Sequence, residues 1–179
     1  VQFHLRDQPK YSEREIENED WVGKVQASFK PVQIGRAWIV FPWHKPPDPN
    51  AMNVLMVPGM AFGTGEHWTT KLCGEWVLQV VKGGETILDY GSGSGILSIL
   101  AAKAGAKLVV GVEIDPDAVE AARENALSNE VQTTTSFFLP QDEPQGKSYD
   151  LIVANILAEP LKMLAPVLAG HARTGTKIA

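Results

Sequence analysis

One cysteine, Cys73, stands in 179 residues, so an internal disulfide and a cysteine-based metal centre are both excluded. That usage fits a reducing compartment and a cytoplasmic site, with an organelle stroma or matrix as the alternative. Long apolar runs are also missing. No stretch approaches the ~20 residues that a membrane-spanning helix needs, and Val1 to Lys10 is mixed and polar, without a signal-peptide pattern. There is no excess of basic residues: 16 Lys and Arg against 21 Asp and Glu give a formal net charge of -5. Sequence-independent nucleic-acid binding draws on clustered Lys and Arg, so direct nucleic-acid binding is not expected. An acidic surface instead favours a Lys-rich partner. Internal repeats and low-complexity tracts are lacking as well.

What is present is ordinary for one full-size domain, with 44% hydrophobic and 21% charged residues. Val1 in place of Met, and a strand-like Thr176 to Ala179 that is cut off, lead us to expect a longer parent chain. The sequence divides at about Pro58. Residues 1–57 read as an N-terminal linker and edge segment. They comprise a charged stretch from Tyr11 to Asp20, a helix-like segment around Trp21, Val25 and Phe29, and a short strand from Gly35 to Phe41. A Pro-rich turn from Pro42 to Pro49 and a second strand from Val54 to Val57 follow.

Residues 58–179 alternate strand and helix patterns, as βαβ units do. Leu72, Trp76, Val77 and Val80 give one apolar face to a helix from about Thr69 to Val81. Strands are expected at Thr86–Leu88, Leu108–Val112, Thr133–Phe138 and Tyr149–Ala154. Helices are expected at Ile96–Ala104, from Asp115-Pro116 to about Ser128, and at Leu157–Leu168 with a kink or break at Pro160 and Pro166. Asp115 serves as N-cap with Pro116 at the first helical position. The sum is an α/β fold with a doubly wound, mostly parallel sheet.

The most informative segment runs Asp89-Tyr90-Gly91-Ser92-Gly93-Ser94-Gly95, between an apolar strand and a helix. Alternating glycines permit a tight turn and close backbone approach by a ligand, and the helix N-terminus adds free N–H groups. A dinucleotide fingerprint needs a small residue where Ile96 stands. Acid-x-Gly-x-Gly-x-Gly, with Asp89 as the acid, is instead the first motif of class I methyltransferases. Glu113 ends the next apolar strand, where an acid can accept hydrogen bonds from ribose hydroxyls.

Two further segments carry candidate chemistry. Pro58 to Thr70 holds glycines, threonines and aromatics ahead of a helix. It reads either as a lid, with Phe62 stacking on a ligand and Thr70 hydrogen-bonding to it, or as a Gly-rich connector with Thr69 or Thr70 capping the helix. Glu66 and His67 are adjacent and lack a third ligand, so no metal is expected. Asn155 closes the fourth strand, where ligands of open α/β sheets bind. Its successors Ile156 and Leu157 replace the Pro-Pro-aromatic run of enzymes that methylate DNA bases or glutamine.

Together these segments resemble one family closely, the ribosomal protein L-eleven methyltransferases of the PrmA type. The resemblance rests on Asp20-Trp21-Val22, Phe29-Lys30-Pro31, Ile34-Gly35, Pro47-Asp48-Pro49, the loop Gly59 to His67 with Thr69-Thr70, and Asn155-Ile156-Leu157-Ala158 with Pro160-Leu161. It implies a Rossmann-like class I methyltransferase fold, S-adenosylmethionine as cofactor and a large-subunit ribosomal protein as substrate. Thr70, Gly91, Glu113 and Asn155 match the family's cofactor contacts, and Phe62 and Gly93 match neighbouring ones. Glu113 stands where the family commonly has Asp. The resemblance also implies a separate N-terminal recognition domain, for which Val1 to about Asp20 is too short.

The implied reaction is in-line methyl transfer to a lysine side chain or an N-terminal amine. It depends chiefly on alignment and exclusion of water. Burial deprotonates an incoming amine, so no dedicated base is assigned; His67 and Glu66 are the weakest candidates. Other protein-lysine or small-molecule methyltransferases on the same scaffold, and a non-catalytic cofactor-binding module, are the alternatives.

Overall fold

A computed structural model describes residues 29–57, 65 and 67–179. Its core is a five-stranded parallel sheet of order β6-β5-β4-β7-β8. The strands are β4 (Thr86–Tyr90), β5 (Leu108–Val112), β6 (Thr135–Phe138), β7 (Leu151–Val153) and β8 (Lys177–Ile178). Among the described residues, four helices accompany them: α1 (Trp68–Val80), α2 (Ile96–Lys103), α3 (Pro116–Ser128) and α4 (Ala158–Gly170).

Alternation along each strand sends successive side chains to opposite faces. Ile87, Val109, Leu151 and Val153 join one buried cluster with Val77 of α1, Leu97 and Leu100 of α2, and Val119 and Ala122 of α3. Leu88, Val110, Val112 and Ile152 join a second cluster with Tyr149 and Leu168 of α4. The sheet is therefore covered on both faces, as parallel sheets require. Chain order reverses between β4 and β7, and that switch point is where such sheets bind ligands.

A smaller sheet precedes it: β1 (Val32–Ile34) pairs antiparallel with β2 (Ala37–Val40), and β2 pairs parallel with β3 (Met52–Leu55). The expected strand from Gly35 to Phe41 is thus corrected. Gly35 adopts φ +54° and turns the chain between β1 and β2. The strand expected at Val54–Val57 starts two residues earlier. Phe29 is not helical; its ring packs against Phe41 with centroids 5.2 Å apart. The rest of the expected helix around Trp21 and Val25 lies outside the described residues. Ile34, Ile39, Val54 and Met56 are buried in the same cluster as α1 and α2, so the small sheet shares the main core.

Asp115 caps α3 as its sequence requires, accepting from the Asp117 N–H at 3.0 Å. Helix α4 departs from expectation by running unbroken through both prolines. Pro160 occupies its first turn, where a backbone N–H has no intrahelical partner to lose. Pro166 removes one interior hydrogen bond on a helix whose one buried residue is Leu168, so little packing opposes the local adjustment.

Candidate cofactor site

Backbone hydrogen bonds tie down the glycine turn at several points. Gly91 and Ser92 N–H groups both donate to the Val112 carbonyl, at 2.7 and 3.1 Å, and Gly95 N–H donates to Ser92 O at 2.8 Å. Gly93 N–H donates to Glu113 Oε2 at 2.9 Å. The end of β5 and the turn after β4 are thereby locked together. Glu113 Oε1 accepts from its own successors Ile114 and Asp115, at 2.7 and 3.2 Å, which curls the carboxylate back over the turn. The glycines at 91 and 95 are dictated by conformation and space. Gly91 has φ +79°, and a Cβ there would lie 2.2 Å from Ile156 Cγ2. Gly95 has φ +81° and faces the Phe137 ring and Ala122.

Asp89 lies beneath the turn at 1% exposure. Its Oδ2 accepts from Ser98 N–H at 3.0 Å and Ser98 Oγ–H at 2.7 Å, holding the first turn of α2. Oδ1 is buried without a hydrogen-bond partner among the described residues, as is Ser92 Oγ. Burial pushes the Asp89 carboxyl up to about 6, against the lowering effect of the Ser98 bonds, and the nearby Glu113 charge pushes in the same direction as burial.

At the end of β7, Asn155 Nδ2–H donates to Thr70 Oγ1 at 3.0 Å. Thr70 is buried in the first turn of α1, and the neighbouring Ile156 packs on Gly91. Contacts therefore link Thr70, Asn155, Gly91, Gly93 and Glu113 along the carboxyl ends of β7, β4 and β5. Phe62 and Glu66 lie outside the described residues. His67 caps α1, accepting from Thr69 N–H at 3.3 Å and pairing with Thr69 Oγ1 at 2.7 Å. The cap expected at Thr69 or Thr70 is corrected accordingly: both threonines lie inside the helix, and the ring nitrogen of His67 takes the capping role.

Sequence reasoning missed Ser98, the partner of Asp89, and two asparagines, one in the last turn of α3 and one at its C-cap. Asn125 and Asn129, four residues apart and both buried, face the same way. Two amides at that spacing on an otherwise amphipathic helix are the available signal.

The residues present suit a cationic ligand. Two carboxylates, Asp89 and Glu113, flank the turn, and the orphaned Asp89 Oδ1 is an acceptor awaiting a donor. A diphosphate would meet these charges unfavourably. Ile96 further opposes a dinucleotide: it is buried, and a Cβ on Gly65 would come within 3.2 Å of its Cδ1. Among the described residues, no three His, Cys, Asp or Glu side chains group as a metal site.

A family model for the ribosomal protein L11 methyltransferases (PrmA) matches residues 2–179. The chain belongs to this family. It is 50% identical over 176 residues to a Burkholderia vietnamiensis (strain G4 / LMG 22486) protein named ribosomal protein L11 methyltransferase, covering 98% of this chain and 58% of that protein. The chain thus spans 58% of the length of that relative. A crystal structure of a ribosomal protein L11 methylase from Lactobacillus delbrueckii subsp. bulgaricus superposes with a TM-score of 0.74 at 33% identity, covering 84% of this chain and 78% of that one. An RNA methyltransferase from Salinibacter ruber, solved with S-adenosyl-L-homocysteine, matches at TM-score 0.53 and 28% identity over 60% of this chain and 72% of that one. The family's fold is accordingly the Rossmann-like fold of class I methyltransferases, with the glycine turn at its switch point.

Proposed function

We propose that this chain is the S-adenosylmethionine-binding domain of a protein N-methyltransferase acting on a large-subunit ribosomal protein. The observation that carries this reading is the convergence of Gly91, Gly93, Glu113, Asn155 and Thr70 at the carboxyl ends of three adjacent strands. On this reading residues 58–179 are the cofactor domain and residues 1–57 a linker and edge segment, whose small sheet between residues 32 and 55 contributes to the same core.

When bound, S-adenosylmethionine supplies an electrophilic methyl on a sulfonium leaving group. The glycine turn gives a ligand access to backbone, and the Glu113 carboxylate, with lone pairs beyond those used by Gly93, Ile114 and Asp115, accepts from ribose hydroxyls. Asp89 favours a positively charged ligand above the turn. Thr70 and Asn155 fix one another's orientation, so the Asn155 carbonyl oxygen is presented in a set direction. The family resemblance assigns Phe62, outside the described residues, as a stacking group. No base is assigned: His67 is engaged as a helix cap, and desolvation of an incoming amine lowers its pKa enough to expose a lone pair. An acidic chain suits a Lys-rich substrate, and a ribosomal protein places the reaction in the cytoplasm or an organelle interior.

The test is transfer of labelled methyl from S-adenosylmethionine to purified large-subunit ribosomal proteins by the whole protein at the full length of its relatives. Label in one such protein, lost in Asn155→Ala, is the expected result. Cofactor binding without transfer to any of them would remove the substrate assignment.

A further inference from the structure

Asn125 is buried at 1% exposure in the last turn of α3, and both ends of its amide are used. Nδ2–H donates to the Ser94 carbonyl at 3.0 Å, and Oδ1 accepts from Val57 N–H at 3.0 Å. Ser94 belongs to the glycine turn; Val57 follows the last strand of the small sheet. These two backbone groups are 37 residues apart in sequence and meet through this one side chain. One turn further along α3, Asn129 performs a different task. Its Oδ1 accepts from Leu55 N–H at 2.9 Å and its Nδ2–H donates to Leu55 O at 2.6 Å. Asn129 Nδ2–H also donates to the Asn125 carbonyl at 2.8 Å, so Asn129 holds β3 to the end of α3, whereas the Asn125 side chain joins the small sheet to the turn.

The Ser94–Gly95 peptide is held at both poles, its carbonyl by Asn125 and its N–H by Ser92 O. The Asn125 bond adds a second restraint to this peptide, which lies between Gly93 and Gly95, both at positive φ, where the backbone is intrinsically permissive. The Gly93 N–H that faces Glu113 belongs to the same three-residue arc, so its direction depends on the same restraint.

We propose that Asn125 is a positioning residue for the cofactor: its amide sets the glycine turn in its binding conformation and registers that turn against the small sheet. The proposal rests on the reading of the turn as an S-adenosylmethionine site. Asn125 contacts no reacting group and acts through Ser94 and Val57.

The test compares two variants by calorimetric titration with S-adenosylmethionine, on the full chain and well below its melting temperature. Asn125→Leu is expected to bind about tenfold more weakly, the scale of one buried hydrogen bond. Asn129→Leu loses stability of similar size but keeps wild-type affinity. Asn125→Asp retains the acceptor for Val57 but sets a carboxylate against the Ser94 carbonyl, and weakens binding at least as much. A measurement on the unaltered chain stands beside these in case the variants do not fold. The Asn125 side-chain amide protons should shift in the NMR spectrum and exchange more slowly when S-adenosylmethionine is added, while those of Asn129 stay put. Equal affinity in Asn125→Leu and wild type, or an Asn125 amide unmoved by a saturating cofactor, overturns the proposal while leaving the cofactor assignment intact. No binding by the folded wild-type chain overturns the assignment itself, and this proposal with it.

Discussion

Asp89 and Asp150 bracket the same central strand, one beneath its carboxyl end and the other beside its amino end. Asp150 is fully engaged. Its Oδ2 accepts from Thr86 N–H at 2.9 Å and Thr86 Oγ1–H at 2.8 Å, and Oδ1 pairs with Arg173. The Thr86 N–H, then Arg173 and the Thr86 hydroxyl, hold its carboxyl down at about 2. Asp89 has one oxygen engaged and one without a partner among the described residues, next to a second carboxylate, and burial raises it to about 6. The amino end of the sheet is thus arranged for stability, while the carboxyl end retains an acid that its protein neighbours leave half-satisfied. Such perturbed groups cluster where ligands bind.

The largest effect that can break this contrast is expected from Gly91→Ala. A methyl there adds left-handed strain at φ +79° to an overlap with Ile156. Denaturant unfolding should show a loss of about 3 kcal/mol, with cofactor binding abolished. Asp89→Asn should act in the opposite direction on stability. The folded protein holds the Asp89 proton up to about pH 6 and the unfolded chain releases it near 3.8. Wild-type stability therefore falls as pH rises through that window, by up to about 3 kcal/mol. In the Asp89→Asn variant that slope should vanish from melts taken between about pH 4 and about pH 7, with higher stability at neutral pH and weaker cofactor binding. An unchanged slope would show that Asp89 is ionised without penalty.

Asp150→Ala tests the amino end. Its folded pKa is depressed, so its contribution is present at neutral pH and fades as pH falls through about 4 towards about 2. Because the side chain is 37% exposed, solvent screening limits the loss at neutral pH to about 1 kcal/mol. Titration with S-adenosylmethionine should be unaffected. Smallest of all, Arg173→Gln removes an exposed partner and should cost a few tenths of a kcal/mol in a thermal melt.

The carboxyl end is also the more legible end in sequence. Acid-x-Gly-x-Gly-x-Gly fixes a strand, a turn and a helix at once, and Glu113 follows from the next strand's length. Asp115-Pro116 marks α3 because cap and first-turn preferences are local. Tertiary contacts are hidden for the same reason. Nothing in the run Pro116 to Ser128 says that Asn125 reaches Ser94 and Val57, and Asp150 reads as a polar residue at the start of β7 until Thr86 is placed beside it. Gly35 reads as part of a strand because the apolar run from Ala37 to Phe41 outweighs the turn it makes. The prolines of α4 predict a break in a helix that tertiary packing barely constrains.

The most direct test of the account is calorimetric titration of the full chain with S-adenosylmethionine and, separately, with NAD, repeated on Glu113→Ala. Saturable S-adenosylmethionine binding, none for NAD, and clear weakening in the variant are expected. NAD binding, or S-adenosylmethionine binding indifferent to the loss of Glu113, would contradict it.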